Sequence, residues 1–425
     1  MAASLFGVAI NLLNQIVLVP FYIIYWGNEL YSDWIVISAL MTIFSLSDVG
    51  LNNVIQNRFA IKYSEGNKEE CSSLLNSNIA IISLTFLLFL ILVLIYEFFF
   101  DISSQMSLHV LSRTEAGLIF LLLMIKVFIG MYSGVLNAIY RATHHADKAM
   151  FYDQFTFLVV VIITFLFVVF RISLVWLSFS ICIPYIVTIV FKKYDSQKYF
   201  SHHLSIFEFN WPLIRKILIP SLSFMTFPIG NTMILQGFTL VVNKFFGADE
   251  VVLFNTTRTL CNFIKTMVGT IQTSVMPEYS IAYGNSDYLR MRTLHRKSVK
   301  LSLLYTFFMG VVLLLMGPLI YSVWTHEKVE FSFLLMLGFI ISLLFESIWW
   351  SSSVTVMATN NHTKLGIVFT VFSSFALVLA ICILYINQHL YLVTLPLIVM
   401  QILMAFVAVR EGLKLTKDNF KYLFT

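Results

Sequence analysis

Apolar residues fall along this chain in long runs, separated by short polar connections. Each run has about the twenty positions a helix needs to cross a hydrocarbon layer of about 30 Å. Read in order, they predict helices at 4–26, 33–57, 76–100, 115–141, 151–170, 173–191, 217–243, 250–276, 299–323, 331–357, 364–386 and 390–410. Polar residues inside the runs are not scattered. Between Trp34 and Arg58, the residues Ser38, Thr42, Ser45, Asp48, Asn52 and Gln56 recur at steps of three or four, which keeps them on one side of a helix. The eighth run repeats the pattern with Asn255, Arg258, Asn262, Lys265, Gly269, Gln272 and Met276. The fourth carries Lys126, Gly130, Gly134, Asn137 and Arg141 on one face, and the tenth carries Glu346, Trp350 and Ser353. A charge at membrane depth costs at least about 2.5–3.5 kcal/mol, so these faces are expected to turn toward other helices or a water-filled space. The third, fifth, ninth and eleventh runs are almost wholly apolar and are expected to face lipid. Pro277 is expected to end or kink the eighth helix.

Composition agrees with this pattern. Of 425 residues, 59% are hydrophobic and only 12% charged, with a mean hydropathy of +0.86, whereas soluble domains hold about 25% charged residues. The fold class is therefore an all-α polytopic membrane protein with about twelve transmembrane helices. No stretch is polar enough to form a separate soluble domain. The loops then alternate between two sides. Twenty of the 27 Lys and Arg residues fall on one side, four on the other, and three (Lys126, Arg258 and Lys265) inside spans. By the positive-inside bias both termini are cytoplasmic, and the net charge of +5 reflects that bias, not a nucleic-acid surface. The N-terminal run lacks a basic n-region and reads as a retained helix rather than a signal peptide; the missing Lys or Arg ahead of it suggests a natural start a few residues upstream. The four cysteines show no metal-ligand spacing and no disulfide framework.

The longest basic connection divides the chain into an N-terminal six-helix bundle at 1–192, a linker at 193–216 and a C-terminal six-helix bundle at 217–425. A weak echo at an offset near 220 pairs Tyr25-Trp26-Gly27 with Phe245-Phe246-Gly247 and sets the second span against the eighth. Two such halves are a recurrent transporter plan.

If the polar faces meet, they line a cavity in which Lys126, Arg258 and Lys265 oppose Asp48 and Glu346, with Asn52, Asn137, Asn262 and Gln272 as neutral lining. Arginine gives bidentate contacts to phosphate and lysine a point charge, so the set suits an amphiphile with a phosphate or diphosphate head. Asp48 or Glu346 would exchange H+ or Na+ during transport. Plainer readings stand beside these. Asp48 and Glu346 fit ion pairs that fix helix register. Gly130 and Gly134 fit a helix-packing motif, and Lys126 and Arg258 fit snorkelling toward the membrane surface. Lys265 lies too deep for that and is the first choice among the cations. No Walker, GxSxG, HExxH or Rossmann pattern occurs, and the outer loops are short, so neither an ATP-driven pump nor an enzyme with an outer catalytic domain is expected.

Trp34, the run Ser45-Leu46-Ser47-Asp48-Val49-Gly50-Leu51-Asn52-Asn53, Asn57-Arg58 and the Tyr63–Asn67 turn together resemble the second-helix signature of the Wzx-type O-antigen flippases, in the polysaccharide transport branch of the MOP exporter superfamily. The layout of two six-helix halves and the position of Pro277-Glu278 before Ala282-Tyr283-Gly284-Asn285 are similar too. The resemblance implies a MOP/MATE-like fold, a monomer in the bacterial inner membrane, and translocation of undecaprenyl-pyrophosphate-linked oligosaccharide by alternating access through a cationic lumen. It implies membrane lipid, a polysaccharide polymerase and chain-length proteins as partners. No enzymatic activity, nucleic acid, metal or organic cofactor is implied. Carried over, Asp48 is the family's shared acidic position, while Arg258 and Lys265 match its general chemistry. The rivals are a cation-coupled drug exporter of the same superfamily, which favours an acidic lumen, and a membrane-embedded glycan polymerase or transferase.

Overall fold

The computed structural model describes the backbone at residues 2–48, 50–359 and 363–422; the side chains at 2–5, 8, 9, 12, 15, 48, 218–220, 222–224, 273, 274, 277, 280 and 284 also lie outside the description. Every regular element among the described residues is helical. The chain forms two compact units, Met1–Met225 and Thr226–Thr425.

In the first unit, α1 (Ala2–Phe21) passes through a π turn at Tyr22–Trp26 and stops at Gly27, whose φ of 77° favours a residue without Cβ. Then follow α2 (Gly27–Phe44), α3 (Leu51–Ser64), α4 (Lys68–Phe99), the single turn α5 (Ile102–Gln105), α6 (Arg113–Ala142), α7 (Ala146–Val169), α8 (Leu174–Ser180) and α9 (Cys182–Ser196). The centre of this unit is α6, which packs on α3, α4 and α9. A run of buried Ile, Leu, Met and Phe from Ile119 to Ile139 supplies its core face. Ser112 caps α6 through a reciprocal capping box with Glu115.

The connection after α9 is not a free linker. Asn76 of α4 accepts from the Ser205 amide at 3.1 Å and donates to Glu208 at 2.5 Å, and Ser77 accepts from the Asn210 amide at 3.0 Å.

Helix α10 (Trp211–Thr232) leads into the second unit through a π turn at Met233–Gly237, then α11 (Phe238–Phe245), α12 (Ala248–Gly284), α13 (Tyr288–Trp324), α14 (Phe333–Ala358), α15 (Thr363–Ile386) and α16 (Thr394–Thr416). Helix α14 is the hub, packed on α12, α13 and α16. Polar pairs lock these helices: Ser351 to Ser302 at 2.9 Å, His295 to Ser352 at 3.0 Å, and Trp349 to Gln401 at 2.5 Å. After α16, Arg296 donates to Asp418 at 2.5 and 2.8 Å and holds that carboxyl below its usual range.

Among the described residues, ten stretches are long and apolar enough to cross a membrane, and two expectations about single spans change. The first expected pair lies within one continuous stretch, Ile16–Ser64, and Ala248–Gly284 drops out because its two cations and its Asn and Gln residues dilute the run. The second span is not one helix either. It breaks between α2 and α3 at a 3-10 turn, Ser45–Asp48, and at Gly50 with φ of 67°, so the stripe from Ser38 to Gln56 is split into two faces. The eighth helix does not end at Pro277 but continues to Gly284, as membrane helices do when neighbouring groups take up the freed carbonyl.

A buried carboxylate that the spacing did not single out anchors the first half of α2. Asp33 is fully buried and accepts amide hydrogens from His109 at 2.8 Å, Val110 at 2.9 Å and Leu111 at 3.1 Å. It thereby takes up three consecutive amide donors of the segment ahead of α6. Asp33→Ala is expected to lower stability by about 2–4 kcal/mol, since unpaired buried donors cost about 1–3 kcal/mol each. Asp33→Asn, which keeps one acceptor, should fall between. Thermal unfolding in detergent checks the order, and an Ala variant as stable as the parent would contradict it.

Candidate functional site

Lys126 sits midway along α6, the packing centre of the first unit, where the α2 half of the broken span passes it. Its ammonium lies 5.4 Å from the centroid of the Tyr185 ring on α9, a cation–π distance. Together with Trp34, Ser38, Thr42 and Ser45 it lines a cavity of about 280 Å³, closed on its apolar side by Met41, Leu123 and Val127. Thr42 and Ser45 bond their hydroxyl hydrogens to the carbonyls of Ser38 and Thr42, at 3.0 and 2.6 Å. Their oxygens therefore stay available as acceptors facing the cavity. Among the described residues, no carboxylate pairs with Lys126. The Asp48 side chain lies outside the described residues.

Beyond the break at Gly50 the same stripe does different work. Asn52 is buried, accepts from Asn78 at 2.8 Å and donates to the Met131 carbonyl at 3.4 Å. Gln56 donates to the Gly134 carbonyl at 3.1 Å. A Cβ on Gly134 would stand 3.3 Å from the Asn52 amide nitrogen, so this glycine admits the asparagine, and the packing reading of Gly134 fits. Asn137, expected as lumen lining, is bonded into an ion pair: Lys192 donates to it at 2.7 Å and to Asp153, whose side chain is 41% exposed, at 2.6 Å. Lys192 reads as a loop cation in the sequence, yet it is 0% exposed. Nearby, Asp195 accepts from Tyr140 at 3.1 Å, Lys148 at 3.2 Å and Lys198 at 3.1 Å. These carboxylates escape pattern reading because they lie at helix ends, where charges are ordinarily solvated.

In the second unit the cations are occupied. Lys265 pairs with Glu346 at 2.6 Å, across α12 and α14, with side-chain exposures of 36% and 13%. The hollow beside the pair, lined by Thr306, Ser347 and Trp350, measures about 10 Å³, room for about one water. Arg258 donates to the Leu235 carbonyl, to Thr239 at 3.0 Å and to Asn255, and lies 5.2 Å from the Phe254 ring centroid. Leu235 belongs to the π turn Met233–Gly237, whose altered bonding turns a carbonyl toward the guanidinium. Arg258 thus staples α12 to that turn. Gln272 is buried and donates to Ser351 at 3.3 Å. The Asn262 side chain is half-buried one turn from Arg258. Lys265 and Glu346, expected to oppose each other across a lumen, are therefore direct partners, and Arg258 is tied to its own unit.

No group of His, Cys, Asp or Glu with metal-holding geometry occurs among the described residues. Glu346→Gln is expected to destabilise the protein by leaving Lys265 without its counter-charge, and Lys265→Met in the same chain should restore most of the loss. The coupling is expected at about 1–3 kcal/mol, below that of a fully buried pair, because Lys265 is 36% exposed. A double-mutant cycle by thermal unfolding measures it, and additive losses would refute the pairing.

No protein-family model matches the chain, and no curated protein matches it in sequence. Solved structures do. An inward-facing multidrug resistance MATE family transporter of the MOP superfamily aligns with a TM-score of 0.74 at 14% identity, covering 97% of this chain and 98% of its own. An outward-facing multidrug resistance MATE family transporter aligns at 0.64 and 16% identity, over 98% and 94%. A MOP superfamily transporter from Pyrococcus furiosus Vc1, described as having a binding pocket of reversed polarity that suggests a different function, aligns at 0.65 and 16%, over 98% and 95%. The chain is a multi-pass, all-helical membrane protein with a MATE-like fold.

Proposed function

We propose that this protein is a flippase that moves undecaprenyl-pyrophosphate-linked oligosaccharide across the bacterial inner membrane by alternating access, with Lys126 contacting the diphosphate. The observation that carries the reading is the Lys126 cavity: an ammonium without a carboxylate partner among the described residues, beside three hydroxyl side chains and the Trp34 ring. A cation in such a hollow favours an anionic head, and hydroxyls with an aromatic face suit a sugar. The Pyrococcus furiosus neighbour, described with a binding pocket of reversed polarity that suggests a different function, supports the idea that one scaffold serves more than one function. Lys265, Arg258 and the neutral residues then act as supports for helix packing. Glu346 takes part in ion coupling only if its bond to Lys265 opens during the cycle.

A second reading, a cation-coupled drug exporter, is favoured by the multidrug resistance neighbours. Complementation separates the two. In a host lacking its flippase and carrying the matching glycan pathway, the parent chain is expected to restore surface glycan and Lys126→Arg to keep most of it. Lys126→Ala should lose about tenfold or more, from removal of a charge-assisted contact of about 1.5–3 kcal/mol. Wild-type glycan from the Ala variant at equal expression would refute the role of Lys126. Resistance to drugs in a sensitised strain, without glycan rescue, would favour the exporter.

The basic-loop bias supports cytoplasmic termini. Fluorescent-protein fusions at each end are expected to fluoresce and alkaline phosphatase fusions to be inactive; active phosphatase at either end would reverse the orientation.

A further inference from the structure

In the segment between α9 and α10 several polar groups bond back to the protein, although Glu208 and Asn210 stay exposed: Glu208 accepts from Asn76, the Ser205 and Asn210 amides bond to Asn76 and Ser77, and the Asn210 side chain caps α10 through the Leu213 amide at 3.0 Å. Its apolar groups are turned away. Phe207 is 89% exposed, Trp211 57% and Ile206 48%. Phe209, with its ring centroid 6.0 Å from that of Trp211, is 39% exposed. In water this arrangement is unfavourable, since each exposed aromatic forgoes about 1.5–3 kcal/mol of burial. It is favourable where the surroundings are the boundary between headgroups and acyl chains, the place that Trp and Phe side chains next to a membrane helix occupy.

Charge points the same way. Exposed Arg215 and Lys216 follow Trp211 by about one helical turn, while the hollow that Phe207 and Phe209 line carries Lys68 together with Glu69 and Glu208. Cations flanking exposed aromatics match a leaflet surface carrying anionic lipid, at about 1 kcal/mol for each Lys or Arg.

We infer that residues 206–211 form an interfacial strap, docked into an anionic lipid surface, which holds the segment between α9 and α10 in the membrane plane. The occupant is the lipid interface itself, and the inference requires membrane insertion but no particular cargo.

The test uses the full-length protein in vesicles of phosphatidylethanolamine and phosphatidylglycerol. Cys382→Ser removes the one exposed cysteine among the described residues, the other three being buried. A nitroxide at Phe207→Cys is then compared with one at Glu65→Cys in the exposed turn after α3. The label at 207 is expected to collide several-fold more with oxygen than with a water-soluble nickel chelate, with the opposite ratio at 65. Equal chelate access at both sites would overturn the proposal. Shielding of 207 from both reagents would overturn it too, and would point to a protein partner, such as a second copy.

A substitution that leaves the native side chain at 207 gives an independent reading. Brominated acyl chains should quench the parent more than Trp211→Phe, and replacing phosphatidylglycerol by phosphatidylcholine should weaken that difference. Identical quenching of the two proteins would contradict the docking.

Discussion

Hydrocarbon offers no hydrogen bonds, so every polar group carried into a membrane must find its partner inside the protein. That constraint organises both units. In the first, the amides and carbonyls of Asn52, Asn78 and Gln56 knit α3 to α4 and α6. Lys192, Asn137 and Asp153 then close the ends of α6, α7 and α9. In the second, Lys265–Glu346, the Arg258 staple and the Ser302–Ser351 bond tie α12, α13 and α14 to their neighbours. Dispersion alone would pack these helices without fixing their register. Paired polar groups add register, because a slide of one residue would strand several of them at once.

Against that background one cation stands apart. Lys126 rests on an aromatic ring and borders open space lined by hydroxyls, rather than completing a salt bridge with a described residue. The broken second span is what makes this possible. The 3-10 turn and Gly50 rotate the phase of the helix, so that Ser38, Thr42 and Ser45 face the cavity while Asn52 and Gln56 turn to α6. Interrupted helices mark cargo sites in other transporter folds for the same reason: they free backbone and side-chain groups that a continuous helix would consume.

Much of this was legible in the residues. Apolar runs locate the membrane-crossing stretches, because length and hydropathy are what a bilayer imposes, but they miss how far α4, α12 and α13 run on into polar residues. Polar steps of three and four identify the helices that carry buried polar groups. Spacing cannot say which groups pair with which. It treats Lys265 and Glu346 as facing residues of a cavity, when 2.6 Å separates them. Nor does it reveal Asp33 or Lys192, since a charge at the edge of an apolar run looks the same whether it meets water or a cluster of amides. The Gly50 break was visible only as a glycine, which a membrane helix also tolerates unbroken.

The central claim is that Lys126, rather than the more deeply placed Lys265, meets the anionic head of the cargo. Native mass spectrometry of the purified protein with a polyprenyl diphosphate tests it most directly. The account predicts one bound molecule on the parent, retained by the Lys265→Met/Glu346→Leu double variant and lost from Lys126→Gln. Undiminished binding to Lys126→Gln, or loss confined to the double variant, would contradict it.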